Sequence, residues 1–201
     1  IIFMSEILCI TNRRLCREDF FTRLEQIARS RPAGIILREK DLSPEEYLAL
    51  GARALEICAA QGTPCILHGF LNAAIRLKAR ALHLPLAALE RLSQEDKARF
   101  EYLGASCHSL EDAKTAQALG AHYIILGNIF ETDCKKGLPG RGLEFLREVC
   151  RETELPVYAV GGINAQNLPA VIDAGAKGAC IMSGFALCPD VGEFMARLKK
   201  A

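Results

Sequence analysis

The sequence predicts one α/β domain, a (β/α)8 barrel spanning residues 1–201. Three observations lead there. Short, nearly continuous apolar runs alternate along the chain with segments whose apolar residues have helical spacing. Strands of that composition are covered on both faces, as in a parallel sheet, and the alternation implies right-handed βαβ units. Eight such units fit in 201 residues, near the lower end of the size range of this barrel. Polar residues gather just after the apolar runs, where such a barrel carries its site. A doubly wound open sheet is the alternative. Against it, no Gly-x-Gly-x-x-Gly follows the first run, and eight units are many for an open sheet of this length.

The elements follow in order. Residues 7–11 form the first strand and 18–31 a helix; 34–38 form the second strand. Ser43-Pro44-Glu45-Glu46 then starts a helix to residue 61, with serine as N-cap, proline at the first helical position and glutamate at the third. Residues 64–68 are the third strand and 71–78 a helix. A short fourth strand, 81–84, leads into a variable region to residue 100 that carries no clear helical pattern. The fifth strand is 102–107, and Ser109-Leu110-Glu111-Asp112 caps a helix to residue 119. Strands at 122–126, 156–160 and 177–182 alternate with helices at 143–153, 167–174 and 191–200.

Half of the residues are hydrophobic, which suits one domain with a full core. A net charge of +1 gives no reason to expect nucleic acid or a membrane surface as partner. The nine cysteines are scattered; Cys9, Cys65, Cys107 and Cys180 sit inside apolar runs and read as small buried hydrophobes. No Cys-x-x-Cys and no zinc-type spacing occurs, so neither a structural metal nor a cofactor is expected. The apolar residues 1–4 are too short for a signal peptide or a membrane span. The expected home is a reducing cytoplasm; the sequence leaves a monomer and a homo-oligomer equally open.

Loop 126–142, between a buried strand and a helix, draws attention first. Asn128, Thr132, Lys135, Lys136 and Arg141 suit an anionic ligand there, among glycines that let backbone approach closely; the plain alternative is a solvated turn. Arg38 ends a strand, and its guanidinium suits a bidentate grip on an anion, with Lys40 as a second charge. A solvated Arg-Glu-Lys rim is the alternative there. His68, His83 and His108 fall at strand ends. Gly161-Gly162 and Ser183-Gly184 end the seventh and eighth strands, where these barrels frequently bind a phosphate through backbone N–H groups. Tight strand-to-helix turning explains those glycines equally simply.

Taken together, Leu37-Arg-Glu-Lys40, Ser106-Cys-His-Ser-Leu-Glu-Asp112, Gly127-Asn-Ile-Phe-Glu-Thr-Asp-Cys-Lys-Lys-Gly137, Ala159-Val-Gly-Gly-Ile163 and Ile181-Met-Ser-Gly184 resemble the thiamine-phosphate synthase/TenI superfamily over almost the whole chain. The Phe130 to Gly137 segment, with Gly140-Arg141-Gly142, is most like the TenI branch. The resemblance implies a barrel that binds thiazole phosphates of thiamine biosynthesis. In the synthases it implies magnesium held by an aspartate in an Asn-Asp pair after the third strand and by another after the fourth. Those segments read His68-Gly69 and His83-Leu-Pro-Leu-Ala-Ala88 here, without a carboxylate. TenI proteins isomerise a carboxythiazole phosphate to its aromatic tautomer, a metal-free proton transfer. Their shuttle is a histidine where this chain has Asn128, and an amide orients groups without carrying a proton.

The resemblance therefore implies a tautomerase with another proton carrier. That role is best served by a pKa close to the operating pH; His68 comes first, because the end of the third strand faces the same mouth, then His108 and Cys107, while Asn128 orients the ring or its carboxylate. Arg38, Asn128 and Lys135 would reach the ring and its carboxylate, and Gly161, Gly162, Ser183 and Gly184 the phosphate. A protein that binds a thiazole or thiamine phosphate without turnover is the second reading, and a synthase the third.

Overall fold

The computed structural model describes residues 6–131 and 139–201. Among them, eight parallel strands close into a barrel in sequence order: β1 (Glu6–Ile10), β2 (Gly34–Leu37), β3 (Cys65–His68), β4 (Ala81–Pro85), β5 (Tyr102–Cys107), β6 (Tyr123–Gly127), β7 (Val157–Val160) and β8 (Gly178–Ile181). β8 pairs back onto β1, with Leu8 opposite Cys180. The predicted closed barrel is the observed one, and each strand lies within a residue or two of its predicted bounds.

Parallel strands need crossovers, and helices supply them. They are α1 (Phe20–Arg29), α2 (Pro44–Gln61), α3 (Leu71–Arg76), α4 (Leu86–Glu90), α5 (Gln94–Lys97), α6 (Leu110–Ala118), α7 (Gly142–Glu152), α8 (Leu168–Asp173), α9 (Ser183–Leu187) and α10 (Val191–Lys200). Local chemistry sets their ends. Asp19 accepts from the Thr22 N–H at 3.0 Å, so α1 starts two residues later than its apolar pattern suggests. The capping box of α2 is complete: Ser43 caps the Glu46 N–H and Glu46 caps the Ser43 N–H. Gly62, at φ 68°, ends that helix in the left-handed region. Two features lay outside the predicted pattern. Residues 85–100 fold into α4 and α5, the second capped by Ser93. The five-residue α9 follows β8 at once and is too short to show a period.

Both faces of the sheet are buried, as continuous apolar strands require. Ile7, Cys9, Ile35, Leu37, Leu67, Leu82, Leu103, Cys107, Ile124 and Leu126 face the helices. Leu8, Ile10, Ile36, Ile66, Ala81, Tyr123, Ile125, Tyr158 and Cys180 form a separate cluster inside the barrel. This inner plug closes the barrel below its C-terminal mouth. Cys65 is half-buried rather than a core residue, and the cysteines among the described residues are free.

Candidate functional site

Tyr47 builds the first part of the mouth. It lies on α2, fully buried, with its ring 4.0 Å from that of Phe70 and stacked on it. Its hydroxyl donates to the Leu37 carbonyl at 2.6 Å and accepts from the His68 N–H at 2.9 Å. One side chain thus ties the ends of β2 and β3 together and fixes the residues that follow Leu37 and carry His68. His68 is 5% exposed, and neither ring nitrogen has a hydrogen-bond partner on another described residue. Burial first, then the charges of Arg38 and Lys40, push its pKa down to about 4. That value lies below the range that suits a proton carrier at neutral pH, where His68 is a neutral imidazole.

Glu39 does not belong to a solvated rim. It is 2% exposed and turned back into the protein, where it accepts from the Thr11 hydroxyl (2.8 Å), the Arg13 N–H (2.9 Å) and the Arg13 guanidinium (3.1 Å). Arg13 also grips Asp41 with two 2.6 Å bonds, which hold that carboxyl at about 2. The ends of β1 and β2 are locked by this cluster. The Thr11 hydroxyl also accepts from the Arg38 N–H at 3.0 Å. The Arg38 guanidinium makes no hydrogen bond or ion pair with another described residue, and Lys40 is exposed beside it.

On the opposite side the loops after β6 and β7 interlock. The Ile129 N–H donates to Val160 and the Phe130 N–H to Gly161, so residues 128–130 continue along the end of β7. Gly161 (φ 108°) lets Asn128 pack onto it: a Cβ there would lie 2.7 Å from Asn128 Cβ. Gly162 (φ 63°) has the same relation to Phe130 and Glu131. The N–H groups of Gly161 and Gly162 donate to no other described backbone group, and those of Ser183 and Gly184 open the first turn of α9. Asn128 is 8% exposed, and its amide nitrogen has no partner among the described residues. A buried donor without a partner is a costly feature, and it sits beside the glycine loop.

The remaining candidates separate. His108 is exposed, with Nδ1 3.2 Å from the Gly127 carbonyl and its backbone N–H on Asp112. Arg141 stacks on Phe145 and donates to the His108 carbonyl at 2.5 Å. His108 and Ser106 border an open cleft of about 320 Å³ with Pro85, Leu86 and Glu90. Cys107 points the other way, into the core under the helices, and burial pushes its thiol up to about 12. It is removed from the proton-carrying candidates. Lys135, with Thr132 and Lys136, lies outside the described residues.

A family model described as thiamine monophosphate synthase (TMP-TENI) matches residues 7–185. The chain belongs to that family. A thiamine-phosphate synthase of Roseiflexus sp. (strain RS-1) is 34% identical over 188 residues, covering 90% of this chain and 78% of that protein. A thiamine-phosphate synthase of Fusobacterium nucleatum is 29% identical over 182 residues, covering 89% of this chain and 88% of the relative. Among solved structures, the thiamine phosphate pyrophosphorylase of Pyrococcus furiosus superposes with a TM-score of 0.83 at 25% identity, covering 98% of this chain and 94% of the other. A 3-hexulose-6-phosphate synthase at 16% identity and a TM-score of 0.74 shares the barrel fold.

Within the family, the ends of β3 and β4 are where a synthase's magnesium would be held, and the residues there do not fit it. β3 runs into Gly69 and Phe70, and β4 into Pro85, Leu86, Ala87 and Ala88. Of the nearby carboxylates, Glu39 is engaged by Arg13 and Asp112 by the His108 N–H, and Glu90 borders the cleft from α4, one turn beyond the end of β4. Magnesium keeps one or two carboxylates along with substrate phosphates. No group of three potential metal ligands occurs among the described residues, and no helix there is long and apolar enough to cross a membrane.

Sequence reasoning passed over Tyr47, a helix residue with no motif around it. It also passed over the partners of His83, because the contact of His83 with Ser106 and Tyr123 joins three strands and has no sequence spacing.

Proposed function

We propose that this chain is a thiazole tautomerase of the TenI type, which converts a carboxythiazole phosphate to its aromatic tautomer without a metal. The observation that carries the reading is the end of β3. A neutral, buried imidazole faces the mouth there beside Arg38, where a synthase would need a carboxylate and this chain has Gly69. The ligand phosphate binds the N–H groups of Gly161, Gly162, Ser183 and Gly184, with the Ser183 hydroxyl beside them. Arg38 and Lys40 receive the ring carboxylate, and the unpartnered Asn128 amide donates to the ring or its carboxylate.

Tautomerisation takes one proton from one carbon of the substrate and returns one at another, so no net charge or electron pair leaves the substrate. A neutral imidazole accepts at one nitrogen and donates from the other. Burial is the larger cause of the lowered His68 pKa; the ligand anions offset the smaller part, which comes from the charges of Arg38 and Lys40. His108, exposed on the cleft rim, is the second candidate. Lys135 is assigned to the ligand on the family resemblance alone.

A second reading has its own observation. Asn128 stands where a tautomerase of this branch carries its histidine, and His68 holds a proton weakly in this structure. The chain would then bind the thiazole phosphate without accelerating its isomerisation. Turnover of the non-aromatic carboxythiazole phosphate, followed by NMR with His68→Ala as control, distinguishes the two. Ligand-induced thermal stabilisation without turnover supports the second.

A further inference from the structure

His83 belongs to none of the roles assigned above, yet it is the most enclosed histidine of the mouth. It is 1% exposed, inside the barrel on β4. Its Nδ1 lies 3.1 Å from the Tyr123 hydroxyl on β6, and its Nε2 lies 2.8 Å from the Ser106 hydroxyl on β5. Gly104 makes room for this. A Cβ there would lie 2.1 Å from Tyr123 Cζ and 2.5 Å from His83 Nδ1. Ser106 is half-buried and reaches the cleft; Tyr123 is buried and does not.

Charge and hydrogen-bond counting fix the direction of this chain. The groups facing His83 are the hydroxyls of Tyr123 and Ser106 and the ring of His68, with no carboxylate among them. Burial, then His68, hold its pKa well below the ordinary range, so the ring is neutral and carries one N–H. If that proton sat on Nδ1, it would donate to Tyr123, and the buried phenol proton would have no acceptor among the described residues. If it sits on Nε2, the phenol donates to Nδ1, Nε2–H donates to Ser106, and every buried group is paired. The one hydroxyl proton left over is that of Ser106, at the cleft.

We propose that Tyr123, acting through His83, holds the Ser106 hydroxyl as a hydrogen-bond donor directed into the barrel mouth, where it meets an anionic or carbonyl oxygen of the ligand. Tyr123 and His83 are positioning residues; Ser106 is the one that touches ligand. The ligand class rests on the reading above, but the state of the His83 ring does not.

The test has two parts. In the whole protein labelled with 15N-histidine, and with His83 assigned by His83→Gln, the ring shows N–H at Nε2 and a bare Nδ1, unchanged between pH 5 and 9. A proton on Nδ1, or an imidazolium in that range, overturns the proposal whether or not the protein is a tautomerase. The second part measures Kd for the carboxythiazole phosphate by calorimetry. Ser106→Ala and Tyr123→Phe each weaken binding about tenfold, the loss of roughly one hydrogen bond. The double variant is no weaker than Ser106→Ala, since both act on one hydroxyl. Additive losses would show Tyr123 to be merely structural. If Tyr123→Phe does not fold, or the ligand does not bind, the ring state decides alone.

Discussion

The imidazole of His68 lies stacked on that of His83, with ring centroids 5.5 Å apart and planes inclined by 21°. Both rings are buried, and for both the largest cause of a lowered pKa is that burial. The stack therefore joins two neutral rings. The two residues are register partners on β3 and β4; the His68 ring has the charges of Arg38 and Lys40 near it, and the His83 ring is held between two hydroxyls.

Acid should weaken the fold through this stack. The folded-state pKa of His68 is about 4, below the 6.5 of an unfolded histidine, so the unfolded chain binds the extra proton between those values. Stability is full above pH 6.5, falls as the pH drops toward 4, and changes no further from this group below that. The loss from His68 is up to about 3 kcal/mol, and His83 acts in the same direction. Urea unfolding at pH 7 and 4.5 should show the drop, and His68→Gln should make it smaller. An equal drop in the variant would assign it elsewhere. Asp41, held at about 2 by Arg13, acts in a separate window below pH 4.

Tyr47→Phe should cost about 1–3 kcal/mol, because it leaves the Leu37 carbonyl and the His68 N–H buried without their shared partner. The fold should survive, since the ring keeps its stack on Phe70. Chemical denaturation measures the loss, and ligand affinity should fall with it as the ends of β2 and β3 loosen. A variant as stable as the parent would show that these backbone groups are paired in another way.

Gly104→Ala should destabilise by about 1–3 kcal/mol or more, since the added methyl overlaps Tyr123 and His83 inside a packed barrel. The same change at Gly62, which has open space around it but φ 68°, should act through backbone strain alone and leave the His83 ring signals unmoved. Histidine NMR on the two variants separates packing from strain.

Much of this was legible before the fold was known. The eight strands and the caps at Ser43 and Ser109 follow from apolar runs and from local hydrogen-bond chemistry, which act over a few residues. The placing of Arg38, His68 and Ser106 at one end of the barrel follows from closure. What was not legible crosses strands. Glu39 reads as a surface charge until Arg13 and Thr11 are folded onto it. The His68 pKa depends on how deeply β3 is buried, which spacing does not report. Cys107 and Ser106 are sequence neighbours on opposite faces of β5, so the strand's phase, not its motif, decides which one lines the cleft.

Arg38→Ala should raise KM for a carboxythiazole phosphate more than it lowers kcat, because the guanidinium binds a charge that the substrate carries throughout. Arg38→Lys should restore little, since a lysine cannot reproduce a bidentate grip. Steady-state kinetics on the two variants check this, and a pure kcat effect would place Arg38 in the proton transfer instead.

The most direct measurement is turnover of the non-aromatic carboxythiazole phosphate by the purified protein, with and without magnesium. Aromatisation should be independent of magnesium and reduced by about 10²–10⁴ in His68→Ala, the usual contribution of general acid–base catalysis. Full activity in that variant would remove His68 from the chemistry. Binding without acceleration, or magnesium-dependent release of pyrophosphate when a pyrimidine pyrophosphate is supplied, would contradict the tautomerase itself.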